Sequence, residues 1–340
     1  MGVTMIDRYP TSMQSAYLDL RTRLLDCRVN ELGGTPVLRK IKGRSYWYAA
    51  VAIKGHKVHR YIGPDDPEMR DRIEQAQSAV EDEKAARSTN RALVNQLDSM
   101  GAPKLDANTG SVLRAMAKVG VFRLGGTLVG THAYRLYALE LGVRLRGLYE
   151  ATQDVDIAAF EQLSLAVDDK VDPTLGEALG ALNMEPAPSL DQMRPTRWIT
   201  KGGGAVIDLL APSFTEEEGP VRLEAFEGWA QGLHFLNYLI AEPIHAVALY
   251  LEGILVQIPR PERYAVYKLI VAQRRKKSER LKAQKDLDQA QDLIEVLAVD
   301  RPEDLEDALE TATEAGPKCR QAIEVSLEQR PETKRMMLNS

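Results

Sequence analysis

The sequence predicts an α+β protein, and three observations carry the prediction. Residues 37–62 alternate β-branched and aromatic runs with turn glycines. The middle of the chain holds short apolar runs, two of which, Asp154–Ile157 and Ala205–Leu210, carry carboxylates among apolar neighbours. Residues 10–32 repeat apolar residues at helical spacing, and helices are read as well over 66–100 and through most of the chain after residue 260. Alternation marks strands, and a 3.6-residue repeat marks helices. With 340 residues, 44% apolar and 27% charged, the chain has length for two or three domains. Composition shifts place them at 1–103 (a helix, a β-meander and a strut helix), 104–259 (a core) and 260–340 (a helical domain).

The elements follow in order. Met13, Tyr17, Leu20, Leu24 and Leu25 predict a helix over 10–32, broken by Gly33, Gly34 and Pro36. Strands at Val37–Ile41, Tyr46–Ile53 and Lys57–Ile62, joined by turns at Gly43 and Gly55, predict an antiparallel meander. Asp66-Pro67-Glu68 supplies an N-cap, a first-position proline and an acidic first turn. The helix it opens is expected to run to Met100 as a long exposed strut, because its surface is acidic, Gln-rich and Ala-rich. A helix over 109–118 is expected to lead into a core strand at Val121. Gly125-Gly126 would then turn that strand into a helix ending near Leu141. Next come the Thr152–Ile157 strand, a helix over 173–183, and a hairpin of Arg197–Thr200 with Ala205–Leu210. A second hairpin pairs His245–Tyr250 with Ile254–Ile258. Helices are expected at 261–277, 279–298, 302–315 and 317–328, with a disordered tail after Pro331.

Composition narrows the function classes. No apolar run is long enough to span a bilayer, and Asp7 and Arg8 sit where a signal peptide would be apolar. Cys27 and Cys319 lie near opposite ends, so no disulfide framework and a cytoplasmic location are expected. Five scattered histidines lack the spacing of a zinc site. A net charge of −5 speaks against a protein that coats nucleic acid, although residues 39–60 and 274–285 are locally basic.

The central stretch carries the chemistry. Asp154 and Asp156 share one face of a strand, because successive side chains point to opposite faces. Two adjacent carboxylates repel unless a cation lies between them, and Mg²⁺ is the simplest oxygen-bound choice. A glycine turn before a helix lets backbone N–H groups approach a phosphate, which makes Gly125, Gly126 and Thr127 candidates for a phosphate cradle. Asp208 is a lone carboxylate in an apolar strand, a costly placement that a shared metal explains. Together these residues point to phosphoryl or nucleotidyl transfer.

Gly125-Gly126, Thr152-x-Asp154-x-Asp156 and the later Asp208 resemble the DNA polymerase β-type nucleotidyltransferase superfamily. Within it the pattern is most similar to the AbiEii-type abortive-infection and toxin nucleotidyltransferases, over roughly residues 110–295. The resemblance implies a polymerase β-type core with a mixed sheet, an NTP substrate and two Mg²⁺ ions. Asp154 and Asp156 would hold both ions, and Asp208 would hold the catalytic ion and help deprotonate the acceptor hydroxyl. Lys268 and Lys285 would meet the nucleotide, Lys285-Asp286 being the last motif. An RNA (tRNA) 3′ end is the favoured acceptor, and for a toxin a neutralising antitoxin protein is the implied partner. The same chemistry on a protein or small molecule, and an inactive nucleic-acid-binding protein, remain open alternatives. One departure stands out: Glu150 occupies a position where the family often has arginine, and the nearest arginines are Arg144 and Arg146.

Three other features have bland readings beside functional ones. His132 reads as a packed histidine, and Arg275–Lys282 as a solvated basic face. The meander interleaves Arg39, Lys40, Lys42, Arg44, Lys57 and Arg60 with Tyr46, Trp47, Tyr48 and Tyr61. It reads either as an RNA-binding surface or as a sheet whose aromatics pack on the strut.

Overall fold

In a computed structural model of the chain, residues 6–31, 35–53, 56–78, 83–147, 154–160, 170–171, 173–188, 191, 193–214 and 218–339 are described. Helix α1 (Thr11–Glu31) turns Met13, Tyr17 and Leu20 inward at i, i+4 and i+7, and all three are buried. Strands β1 (Thr35–Ile41), β2 (Arg44–Ile53) and β3 (His56–Pro64) form the expected antiparallel meander. Trp47 packs with Ala49, Ile62 and Ile73, and its indole N–H donates to Asp65 Oδ1 at 3.0 Å. Tyr48 is fully buried, edge-on to Tyr61 at 5.7 Å between ring centroids. The aromatics of the meander are therefore largely spent on packing.

The expected strut is two helices, α2 (Pro67–Ser78) and α3 (Glu83–Ser99), both packed on α1. Val94 and Leu97, three residues apart, are buried; this apolar stripe makes the segment a packed layer and not an exposed rod. Helix α4 (Ala107–Val119) starts where the Asp106 carboxylate accepts from the N–H groups of Asn108 and Thr109. It ends at Gly120, whose φ of 99° closes a left-handed cap.

Two expectations change here. The segment from Val121 is a run of tight turns, not a strand, with the Gly126 N–H donating to Val121 O at 2.9 Å. Gly126 is needed for that approach, since a Cβ there would lie 2.6 Å from Val121 Cγ1. The first core strand is β4 (Thr127–Val129), buried throughout, so Gly125-Gly126 lead into a strand. Helix α5 begins only at Gly130 and runs to Glu140.

The central sheet has the order β4-β5-β8-β10-β9. Its strands are β5 (Asp154–Ala158), β8 (Val206–Pro212), β9 (Pro220–Leu223) and β10 (Gly228–Leu233). β5, β8 and β10 run parallel, while β4 and β9 run antiparallel to their neighbours, so the sheet is mixed as expected. β6 (Met184–Pro186) and β7 (Arg197–Thr200) extend it along the first half of β8. Helix α6 (Leu175–Ala181) opens on a capping box of Thr174 and Glu177. β9, β10 and the short helix α7 (Leu236–Ile240) fill a stretch to which the sequence reading assigns no element.

The hairpin β11 (Ile244–Ala248) and β12 (Ile254–Ile258) packs on α1 and β4. Five helices follow: α8 (Pro261–Arg274), α9 (Arg280–Asp300), α10 (Pro302–Glu314), α11 (Pro317–Gln329) and α12 (Pro331–Asn339). Proline opens four of them, where its missing N–H costs nothing. The tail expected to be disordered is α12, which packs on α9 and buries Thr333 and Met337. Among the described residues, no helix is long and apolar enough to cross a membrane.

Candidate active site

Strand register assembles the site. Val129, Asp156, Asp208 and Arg197 form one row across β4, β5, β8 and β7. Paired residues on neighbouring strands share a face about 4.8 Å apart, so Asp156 and Asp208 stand side by side. Asp154, two residues before Asp156, lies on the same face. Asp154 is exposed, whereas Asp156 and Asp208 are half-buried. Thr152 lies outside the described residues.

The fourth member of the row is one the sequence reading missed. Arg197 Nε lies 3.4 Å from Asp208 Oδ1, and its Nη2 lies 3.9 Å from Asp154 Oδ1. A cation thus already bridges two of the three carboxylates. The signal was present: a hairpin turning at Lys201–Gly204 pairs Arg197 with Asp208 by count. Arg144 and Arg146 are occupied elsewhere, the first over the Tyr9 ring and the second with Glu295 at 2.7 Å.

Crowding raises carboxyl pKa values. Asp156 is pushed up to about 6, mainly by burial and then by Asp208 and Asp154, with Lys268 and Arg197 opposing the shift. Burial raises Asp208 as well; Arg197 opposes that shift and Asp154 adds to it. A carboxyl raised on folding binds its proton more tightly in the folded state. Stability is therefore highest below about pH 4 for this group and falls as pH rises to about 6, by on the order of 1 to 3 kcal/mol. Urea melts across pH 4–7 should show this slope in the wild type and lose it in Asp156→Asn.

The β4-to-α5 turn lies against the carboxylates. A Cβ on Gly130 would sit 2.3 Å from Asp156 Oδ2, and Gly130 has a φ of +65°, so both space and backbone demand glycine. No side chain caps α5, which leaves its first-turn N–H groups beside Asp156. The Tyr264 hydroxyl donates to Gly130 O at 2.9 Å and lies 3.0 Å from Gln289 Oε1, tying α8 and α9 to the turn. By contrast, Thr127 pairs with Ala158, two residues past Asp156, and Gly125 and Gly126 lie beyond it at the far end of β4. The glycine turn against the acids is Gly130, not the pair expected.

Of the late basic residues, Lys268 and Arg275 meet at Asp286. Lys268, buried on α8, donates to Asp286 Oδ1 at 2.5 Å, and Arg275 Nε holds the other oxygen at 2.9 Å. Lys268 also acts on the charge of Asp156. Lys285 acts on His132, in the first turn of α5. His132 is 1% exposed, has no hydrogen-bond partner on either ring nitrogen among the described residues, and has its pKa pushed down to about 4, chiefly by burial. It is a packed, neutral histidine.

Among the described residues, no group of three or more His, Cys, Asp or Glu is close enough to hold a metal by itself. The acids form an open half-shell that a triphosphate could complete, which suits Mg²⁺, an ion normally held by one or two carboxylates plus substrate phosphates.

A family model described as nucleotidyltransferase matches residues 107–314, more than half of the chain. A second, described as a domain of unknown function (DUF6788), matches residues 16–71. No curated protein and no solved structure matched the chain.

Proposed function

We infer the reaction from one premise: this chain belongs to the nucleotidyltransferase family and is a transferase enzyme that moves a nucleoside monophosphate. The finer reading is Mg²⁺-dependent transfer from an NTP to an acceptor hydroxyl, with release of pyrophosphate. The in-register pair Asp156–Asp208, with Asp154 on the same face, carries it.

Asp154 and Asp156 would hold both ions and Asp208 the catalytic one, a donor set of hard oxygens whose mutual repulsion a cation relieves. When bound, two Mg²⁺ ions supply Lewis-acid stabilisation of the charge that develops on the phosphates. The first-turn N–H groups of α5, from Gly130, bind the phosphates at the positive end of the helix dipole. Lys268, oriented by Asp286, and Lys285 add positive charge on the same side. Asp208 takes the proton of the acceptor hydroxyl as its oxygen attacks the α-phosphorus. The bond to the bridging oxygen of the β-phosphate breaks, and pyrophosphate leaves.

Gly130→Ala should cost about 1–2 kcal/mol for its left-handed backbone. It should also displace the Asp156 carboxylate and slow transfer by about a hundredfold, equivalent to about 2.7 kcal/mol. A thermal melt beside a transfer assay checks both effects, and wild-type activity in the alanine variant would remove Gly130 from the site.

The favoured acceptor is an RNA 3′ end. The AbiEii-type likeness draws support from the contact of Lys268 with Asp286 of the Lys285-Asp286 motif, and an antitoxin partner is what that likeness implies. The deciding experiment incubates the protein with each α-labelled NTP, Mg²⁺ and total RNA, beside Asp154→Ala/Asp156→Ala. Label on RNA from the wild type alone is the expected result. Label on protein or an added small acceptor would reassign the acceptor, and failure to bind Mg-NTP would sink the reading.

A further inference from the structure

The sheet face that carries the acids extends past Asp208 onto β10. Gln231 of β10 pairs with Leu210 of β8, two residues past Asp208, so Gln231 and Trp229 share the face of Asp208. Trp229 pairs in turn with Arg222 of β9, which brings Arg222 onto that face too. Arg194, just before β7, reaches over the Trp229 ring at 5.6 Å from its centroid, and Arg222 does so at 5.7 Å. Trp229 is half-buried and stands outside the hydrophobic core. The three guanidiniums are accessible, with side-chain exposures of 46% for Arg194, 51% for Arg197 and 36% for Arg222. Each has a carboxylate neighbour: Asp191 at 2.5 Å from Arg194, Glu224 at 3.6 Å from Arg222, and the site acids for Arg197.

Packing does not account for an indole set among arginines on the open face of a catalytic sheet. Its chemistry matches a nucleotide, since indole and guanidinium planes stack on bases while guanidinium N–H groups bind phosphates. Its position separates it from the phosphate end of the site. Gly130 adjoins the row on the β4 side, whereas Arg197 and Trp229 lie past Asp208 on the other side. An acceptor hydroxyl activated at Asp208 would arrive from there.

We propose that Trp229, Arg194, Arg222 and Arg197 form the acceptor subsite, which takes the end of a single-stranded polynucleotide. The terminal base stacks on Trp229 and its guanidinium neighbours, and the flanking phosphate pairs with Arg197. This rests on the nucleotidyltransferase reading of the carboxylate row and moves RNA recognition from the meander to the catalytic sheet. Arg197 then has two partners in turn: the carboxylates in the free protein, and the acceptor phosphate once cations fill the acids.

Two binding measurements on the full chain test it. The probes are a fluorescein-labelled ten-nucleotide RNA, followed by anisotropy, and Mg²⁺ with a fluorescent methylanthraniloyl ATP. Trp229→Ala and Arg194→Gln/Arg222→Gln should each weaken RNA binding about tenfold. Trp229→Phe should keep it within about threefold, because a phenyl ring still stacks. Arg197→Gln should weaken it and flatten its salt dependence by about one phosphate contact. ATP binding should be unchanged in the Trp229 and Arg194/Arg222 variants, while Arg197→Gln, which removes a cation from Asp208 and Asp154, is read by RNA binding alone. Loss of ATP affinity in the Trp229 and Arg194/Arg222 variants would make the subsite the base pocket of the incoming nucleotide and overturn the proposal. So would RNA affinity indifferent to them, or a wild type that binds Mg-ATP and no RNA. A wild type that binds neither probe would sink the transferase reading as well.

Discussion

Asp156→Asn is expected to lower nucleotidyl transfer by at least about 10³-fold, equivalent to about 4 kcal/mol, while making the fold more stable at neutral pH. The two effects have one cause. Asp156 stands in register with Asp208 and two residues from Asp154, and burial and both neighbours penalise its charge. Asparagine has nearly the same shape and no charge, so it removes the repulsion and with it the ability to hold a cation. The expected gain at pH 7 is on the order of 1 to 3 kcal/mol. Single-turnover transfer and a urea melt on the same preparation read both. Loss of stability together with activity would mean that the carboxylate serves the fold, and unchanged transfer would exclude Asp156 from the chemistry.

Lys268→Met should be the most damaging single change outside the acids. Lys268 and Asp286 are buried with side-chain exposures of 10% and 4%, and Asp286 is held by Lys268 and Arg275 together. Removing the ammonium leaves a buried carboxylate with one cation, a loss of about 3–5 kcal/mol where no second partner exists and less here because Arg275 stays. Lys268 also opposes the upward shift of Asp156, so its removal moves that carboxyl further toward its neutral form. Lys268→Met/Asp286→Leu tells the two roles apart. The double variant should regain most of the lost stability, because no buried carboxylate remains and Arg275, which loses Asp286, is 30% exposed to water, and should stay at least about a hundredfold slow in transfer, equivalent to about 2.7 kcal/mol. Recovery of activity along with stability would make the pair purely structural.

The free-protein contact between Arg197 and the acids bears on both experiments. At 3.4 Å from Asp208 and 3.9 Å from Asp154, the guanidinium balances part of the charge that a metal would balance.

Most elements were legible in the sequence because their signals are local. The apolar repeat of Met13, Tyr17 and Leu20, the Asp66-Pro67 helix start and the glycine turns of the meander each act within one element. The acids were legible for the same reason, since Asp154 and Asp156 share a face by strand geometry alone. The misreadings came where two local signals competed. Gly125-Gly126 looks like a strand-to-helix turn, yet Thr127-Leu128-Val129 completes the sheet first, and the single Gly130 makes the turn against Asp156. For Trp47 and Tyr48 both a stacking surface and a packed sheet are open in the sequence, and the structure takes the second, with Tyr48 buried and Trp47 packed against Ala49, Ile62 and Ile73.

By itself, the sequence determined the α+β class, most of the helices and hairpins, and the shared strand face of Asp154 and Asp156, since each depends on spacing along one stretch of chain. Only the tertiary structure decided which glycine touches an acid, that Asp208 and Arg197 stand in one row with Asp156, and that Trp229 lies on the same sheet face with Arg194 and Arg222 against its ring. Those facts depend on the register between strands up to about fifty residues apart in sequence, β4 with β5, β5 with β8, β8 with β10. A shift of one residue in any of these pairings would turn the side chains of the shifted strand to the opposite face.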